Sequence, residues 1–299
     1  MIHHSGFVNI IGRPNVGKST LLNALVGERM SIITHKPQTT RHRILGILSG
    51  DDFQIVFSDT PGIIKNPAYK MQEVMNRFAY STFEDADVML FVTEPQEHFK
   101  ADDPIVTKLK DIEVPLFLII NKIDLLTPEQ LDTLMAHWSE LAPSARVLPI
   151  SALHQAGTAG LLKLIIENLP EGPAYFPKDQ LTDRTERFFV TEIIREKILE
   201  QYEQEIPYSC EVSVEDFKDT TTNSGEALAR INAVIYVARK TQKAILIGKN
   251  GEAIKRLGTQ ARKSIEAFLE RKVFLELHVK VRDNWRDDEQ QLRRFGYQE

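Results

Sequence analysis

The chain has 299 residues, enough for two domains with separate cores, and its 42% apolar and 26% charged residues are ordinary for a globular protein. No apolar run is long enough to span a bilayer, Met1-Ile2-His3-His4-Ser5-Gly6 lacks the basic and apolar regions of a signal peptide, and the lone Cys210 has no partner for a disulfide. These features argue against a membrane-spanning or disulfide-stapled protein and point to a reducing, cytoplasmic setting. The formal net charge of −5 hides a basic segment: Arg239–Arg282 carries twelve Lys and Arg against four Glu, a local +8 that suits an anionic partner.

Phe7-Val8-Asn9-Ile10-Ile11 reads as a buried strand and Leu21–Val26 as the start of a helix. Between them lies Gly12-Arg13-Pro14-Asn15-Val16-Gly17-Lys18-Ser19-Thr20, a glycine-bracketed loop in the strand-to-helix context that a phosphate-binding loop requires. Gly12 and Gly17 permit dihedrals that turn successive N–H groups, such as those of Val16 and Thr20, toward one anion, and the helix N-terminus adds its positive end. Lys18 reaches the β- and γ-phosphates, and the Ser19 hydroxyl is placed to ligate Mg²⁺.

Ser31–Arg41 is polar and broken by Pro37, so it reads as a loop where a nucleotide switch keeps a threonine that senses the γ-phosphate through the metal. Thr39 and Thr40 are both candidates, and Thr40 is the preferred one. Two strands, Arg43–Leu48 and Gln54–Ser58, lead into Asp59-Thr60-Pro61-Gly62. At the end of an apolar strand, Asp59 can hold a metal-bound water and the Gly62 N–H can meet the γ-phosphate. Lys18, Thr40 and Gly62 are thus the candidate catalytic residues, and Ser19, Thr40 and Asp59 the candidate metal set.

Asp87–Thr93 and Leu116–Ile120 are further buried strands, the second ending in Asn121-Lys122-Ile123-Asp124. The Asp124 carboxylate can accept from guanine N1–H and N2–H₂, a pattern adenine lacks, so the expected nucleotide pair is GTP and GDP. Asn121 can tie this segment to the phosphate loop, and the Lys122 stem can lie along the base. The last strand, Arg146–Ile150, ends in Ser151-Ala152, whose Ala152 N–H is the expected donor to guanine O6. Gly160–Leu169 closes this half as a helix. Strands alternating with helices predict an α/β domain, a mostly parallel sheet with helices on both faces, over residues 1–170.

Three prolines and a glycine between Leu169 and Pro177 mark a linker over residues 171–181, partly extended and semi-rigid. Residues 182–299 form the expected second domain. Asp183–Glu205 reads as one helix, apolar at Phe189, Ile193, Ile194 and Ile198, its charged face solvated; Glu211–Glu215 and Ile231–Val237 alternate as half-exposed strands. An apolar turn, Ala244–Ile247, leads to Gly248-Lys249-Asn250-Gly251 and a basic helix with Lys255 and Arg256, then a strand over Val273–Val281 and a tail that folds back as a short helix.

Gly12–Ser19, Thr40, Asp59–Gly62, Asn121–Asp124 and Ser151–Ala152 resemble, in order, the five motifs of translation-factor-type P-loop GTPases. Ile63 stands where Ras-like members place a water-orienting Gln, so the chain resembles the subgroup with a hydrophobic residue there, and slow intrinsic hydrolysis is expected. Asn15 resembles a position where some of these enzymes bind K⁺, although an Asn can equally serve to stabilise the loop. The second half resembles an α+β type II KH domain, in which Ile247, Gly248, Lys249, Asn250, Gly251, Lys255 and Arg256 would hold single-stranded RNA. Over its whole length the chain resembles the Era family of bacterial GTPases. That resemblance implies a monomer that binds 16S rRNA near its 3′ end, assists assembly of the 30S subunit, and associates peripherally with the inner membrane. A competing reading is a passive RNA-binding adaptor with a structural GTP site and protein partners.

Overall fold

A computed structural model describes residues 2–297. Contacts divide the chain into two units, one reaching to Asp183 apart from Ala68–Gln72, the other beginning at Arg184. The elements up to that boundary are β1 (His4–Ile11), α1 (Lys18–Val26), β2 (Ile44–Ser49), β3 (Phe53–Asp59), α2 (Lys70–Ser81), β4 (Val88–Thr93), α3 (Pro104–Lys110), β5 (Leu116–Ile120), α4 (Pro128–Leu141), β6 (Arg146–Pro149) and α5 (Thr158–Glu167). The strands form one sheet, ordered β2-β3-β1-β4-β5-β6 and parallel except for β2.

Pleating sends neighbouring residues to opposite faces, and both faces are covered. Ile10, Leu90 and Ile119 pack with Leu21 and Leu25 of α1 and with Leu161 and Ile165 of α5. Ile11, Phe91 and Leu118 pack on the other face with Ile105 and Val106 of α3 and Trp138 of α4. Two-sided burial is why these strands read as unbroken apolar runs. The parallel strands bring the loops after β1, β3, β4, β5 and β6 to one edge, where open α/β sheets bind ligands.

The proline-rich segment 171–181 is laid down on this sheet. The fully buried Gln54 of β3 accepts at Oε1 from Tyr175 N (2.7 Å) and Phe176 N (2.9 Å) and donates from Nε2 to Phe176 O (2.8 Å). Ile47 N of β2 donates to Leu181 O, and Tyr175 rests 5.0 Å from the ring of Phe7. Lone backbone bridges pair His4 with Glu171 and Gly46 with Thr182.

The second unit contains α6 (Glu186–Gln201), β7 (Cys210–Thr221), β8 (Ala227–Val237), α7 (Lys240–Ile247), α8 (Glu252–Leu269), β9 (Lys272–Val281) and α9 (Glu289–Arg294). Its sheet is ordered β7-β8-β9, with β7 antiparallel and β9 parallel to β8 and a bulge between Val214 and Asp216. Helices α6 and α8 lay Val190, Ile194, Leu257, Ala261 and Ile265 on one face of it, against Ile231, Ala233 and Ile235. Cys210 is a buried member of the same core.

Several elements depart from the sequence reading. Helix α6 is shorter than the expected Asp183–Glu205, and its charged residues are not all solvated. Glu192, Arg195 and Glu196 are buried, and Arg195 Nε donates to Glu192 Oε1 at 2.9 Å. Periodicity scores each charge as polar, whereas a neutralised pair tolerates burial. Strands β7 and β8 run well past the expected bounds into one long hairpin. Ala244–Ile247 is the end of helix α7, a helix of eight residues and so too short to declare its period. Among the described residues no helix is long and apolar enough to cross a membrane.

Candidate nucleotide site and nucleic-acid interface

The loop after β1 takes the backbone shape its glycines allow. Gly17 has φ +94°, and a Cβ there would lie 2.2 Å from Asn121 Nδ2; Gly12 has φ +152°, and its Cβ would lie 2.3 Å from Val92 O. Asn15 is left-handed as well, at φ +68°. The loop forms one wall of a cavity of about 560 Å³, lined by Asn15, Gly17, Lys18, Ser19, Thr20, Thr40, Gly62, Asn121, Lys122, Asp124 and Ser151 among others. Gly12, Asp59 and Ala152 stand behind this lining.

Lys18 begins α1 and is buried, with Nζ donating to Arg13 O (2.9 Å) and Gly12 O (3.3 Å). Burial lowers its pKa to about 8, the charges of Asp59 and Glu97 opposing that fall. Arg13 is clamped from behind: its guanidinium bonds Asp103 at 2.8 Å and lies 4.0 Å over the ring of Phe99. Asp103 also caps α3, accepting from Ile105 N. Nothing in the loop's own sequence announced this clamp, because its partners sit some ninety residues away.

Asp59 is fully buried, and desolvation raises the pKa of its carboxyl against the pull of Lys18 and three hydroxyls. Its Oδ2 accepts from Ser19 Oγ (2.7 Å), Ser31 Oγ (2.9 Å) and Thr40 Oγ1 (3.4 Å). Its Oδ1 is buried with no hydrogen-bond partner among the described residues. Ser19 Oγ and Thr40 Oγ1 are 2.9 Å apart. Thr39 points elsewhere, donating to Lys36 O at 2.6 Å, so Thr40 is the threonine that joins the cluster. Ser31 was missed by the sequence reading. Its placement comes from Asn23, whose side chain accepts from Met30 N and Ser31 N and donates to Ser31 O. An Asn in an amphipathic helix gave no hint of that role.

Gly62 closes on the loop, where a Cβ would lie 2.5 Å from Pro14 N, and Ile63 N donates to Gly12 O at 3.3 Å. The Ile63 side chain packs on the α3–α4 side of the core and presents no polar group to the cavity.

Buried Asn121 holds two loops together: Nδ2 donates to Val16 O (2.8 Å) and Oδ1 accepts from Ala152 N (3.0 Å). The Ala152 N–H, expected to face guanine O6, is therefore engaged with Asn121. Lys122 is left-handed (φ +61°) and donates from Nζ to Asn15 O at 2.7 Å, with the Glu94 carboxylate beside it. Asp124 accepts from the Ser151 hydroxyl, which lowers its pKa and leaves it an ionised acceptor at the cavity mouth. Exposed Leu125 and Leu153 flank that mouth.

In the second unit, α7 and α8 meet at Gly248-Lys249-Asn250-Gly251. Gly248 has φ +73°, Asn250 +52° and Gly251 +78°. A Cβ on Gly248 would lie 2.6 Å from Ala253 Cβ, whereas one on Gly251 would meet nothing within 4 Å. Lys249, Asn250, Lys255 and Arg256 are exposed, and Arg256 Nε leans on Gln201 Oε1 of α6 at 3.4 Å. Ile247 is half-buried against the core, and the exposed apolar residue at this surface is Ile245, which a helical α7 turns outward. An uncovered isoleucine beside a glycine turn with exposed cations suits nucleobases and phosphates together.

Comparison with known proteins agrees with this geometry. A family model described as a 50S ribosome-binding GTPase matches residues 7–122, and a KH domain model matches residues 205–286. The chain is 49% identical to GTPase Era of Syntrophus aciditrophicus over 99% of this chain and 95% of that one. It is 47% identical to GTPase Era of Alkaliphilus metalliredigens over the full length of both. The chain belongs to the Era family of GTPases. Two solved structures reach a TM-score of 0.92. One is Aquifex aeolicus Era, as a variant bound to GDP and aluminium fluoride, at 37% identity, covering 98% of this chain and 99% of that one. The other is Era with MgGDPNP and nucleotides 1506–1542 of 16S ribosomal RNA, at 38% identity, covering 99% of each. The Era fold, a P-loop GTPase unit followed by a KH unit, is thus the fold expected from the sequence, and the chain is a GTP-hydrolysing enzyme.

Proposed function

We propose that this GTPase is a nucleotide-dependent switch that binds single-stranded RNA near the 3′ end of 16S rRNA and assists assembly of the 30S subunit in the cytoplasm. The observation that carries the switch is the Ser19–Thr40–Asp59 cluster with the orphaned Asp59 Oδ1. Hydroxyl and carboxylate oxygens are the donors Mg²⁺ prefers, and an unpaired buried carboxylate oxygen suits a metal-bound water. Ser19 and Thr40 would hold the metal and Asp59 its water; when bound, it neutralises charge developing between the β- and γ-phosphates. A purely structural GTP site has no need of a loop threonine joined to the metal cluster, so this cluster speaks against the passive adaptor.

Lys18 is the cation for the β- and γ-phosphates, its Nζ held inside the loop by Arg13 O and Gly12 O. Thr40 meets the loop at Ser19 and Gly62 meets it at Pro14, and both would be released when the γ-phosphate leaves. Ile63 supplies no group that orients water, in keeping with slow intrinsic hydrolysis completed by a partner or a cation. Asn15 donates from Nδ2 to His35 O (3.1 Å), which leaves its Oδ1 as the donor for K⁺. The Gly248–Gly251 turn with exposed Lys249 and Lys255 is the RNA surface in this reading, and the Era complex with 16S ribosomal RNA supports RNA as a ligand of the chain. The deciding experiment measures affinity for a single-stranded RNA of the 16S 3′ end at fixed salt, with GDP and with a non-hydrolysable GTP analogue. A difference of tenfold or more, about 1.4 kcal/mol of coupling, is expected; equal affinities overturn the switch.

A further inference from the structure

The sheet of the second unit has one face under α6 and α8, and its other face carries a pocket that the RNA turn does not use. Two rows of register partners build it. Asp216, Asn232 and Glu276 stand side by side across β7, β8 and β9, and Lys218, Arg230 and Phe274 form the next row. They line a cavity of about 300 Å³. Phe274 is 45% exposed, although β9 otherwise sends its large apolar residues inward, and the Arg230 guanidinium lies 5.1 Å from its ring centre. Asn232 Oδ1 is buried with no hydrogen-bond partner among the described residues.

Each row has its own chemistry. The first is a row of acceptors: a carboxylate that Lys218 already pairs at 2.9 Å, an unmet amide oxygen, and a free-standing carboxylate on exposed Glu276. The second is two cations and an aromatic plane. A ligand that matches both must carry N–H donors on one edge, a flat ring, and negative charge on the opposite side. A guanine nucleotide in unpaired RNA has that form: N1–H and N2–H₂ on the Watson–Crick edge, a base to stack on Phe274, and a phosphate within reach of Lys218 and Arg230. Adenine offers N6–H₂ but an acceptor at N1, which would face the Asn232 oxygen or the Glu276 carboxylate. An arginine from a protein partner would suit the acceptor row but would bring a third cation against the second. The geometry points to this face as a second RNA site that selects an unpaired guanine, separate from the Gly248–Gly251 turn.

The test uses the full chain saturated with Mg-GDP, so that the GTP site takes no guanine, and carrying Lys249→Glu with Lys255→Glu to silence the turn. The probes are RNA heptamers with one central G, A or inosine among uridines, at fixed salt. The G probe should bind at least tenfold tighter than the A probe, with inosine between them because it lacks the N2 amino group. Asn232→Leu and Phe274→Ala should each erase the difference, as should Glu276→Ala on the exposed edge, which leaves the strand core intact. Equal binding of the G and A probes overturns the proposal, as does a preference that survives all three substitutions or an arginine-rich peptide that displaces the G probe while the A probe binds as well.

Discussion

Asn121 and Gly17 should fail as one device. Asn121→Ala removes two hydrogen bonds and strands Val16 C=O and Ala152 N–H in the interior, at about 1–3 kcal/mol each, or about 2–6 kcal/mol together. Gly17→Ala forces a Cβ to within 2.2 Å of Asn121 Nδ2, so it must evict the same side chain and lose the same bonds, with about 1 kcal/mol more for a left-handed alanine. In the double variant the evicting clash has nothing left to evict. Its cost should be that of Asn121→Ala plus the backbone strain, well short of the sum of the two singles, leaving a coupling equal to the shared loss, about 2–6 kcal/mol. The assay is urea unfolding of the nucleotide-free protein, followed by fluorescence of buried Trp138 in a Trp285→Phe background, because each unit holds one tryptophan. Additive costs, within about 0.5 kcal/mol, would show that Gly17 and Asn121 act independently and would refute the reasoning.

Lys18, with its pKa near 8, must be charged to hold phosphate, so GDP affinity should fall about fivefold between pH 8 and 9, and the fall should vanish in Lys18→Ala; a flat wild-type profile by titration calorimetry sinks the assignment. The sign for folding is opposite: the nucleotide-free protein gains stability from this group as pH rises from about 8 toward its ordinary value of 10.5. Gly248→Ala should cost about 2–4 kcal/mol in the unfolding of the second unit, because strain is joined by the Ala253 contact, whereas Gly251→Ala should cost about 1 kcal/mol. Equal costs by Trp285 fluorescence would contradict that difference. Glu192→Ala removes the bidentate partner of buried Arg195 and should destabilise by about 3–5 kcal/mol, largely recovered by adding Arg195→Met; a failure of that rescue in thermal melts would count against the buried pair.

The GTPase unit was legible because a two-sided parallel sheet writes its strands as apolar runs and its loops as motifs at their ends. Lys18, Thr40 and Asn121 line the cavity, with Asp59 behind them bonded to Ser19 and Thr40. Parts held by distant partners were illegible. Ser31 reaches Asp59 only because Asn23 folds the intervening turn, and Arg13 meets Asp103 and Phe99 through tertiary packing alone. The Ala152 N–H reads as a base contact because the motif sets its place, but it cannot reveal that Asn121 already accepts from it. In the KH unit the order of elements was legible except for α7, which read as an apolar turn. The outward turn of Ile245 was not, because eight residues give two turns of helix and no measurable period.

The strap over residues 171–181 bears on how the chain is made. Strands β1 to β3 leave the ribosome early, yet buried Gln54 finds Tyr175 and Phe176 only when more than a hundred further residues have been added. Until then a polar amide meant for the interior stands open beside β3, and the β2 edge lacks its bridge to Thr182. The smallest piece that folds to completion therefore ends near Asp183 rather than at the helix end near Leu169. A nascent chain released or cleaved at Leu169 would expose that edge to its neighbours, and aggregation during synthesis should mark such products.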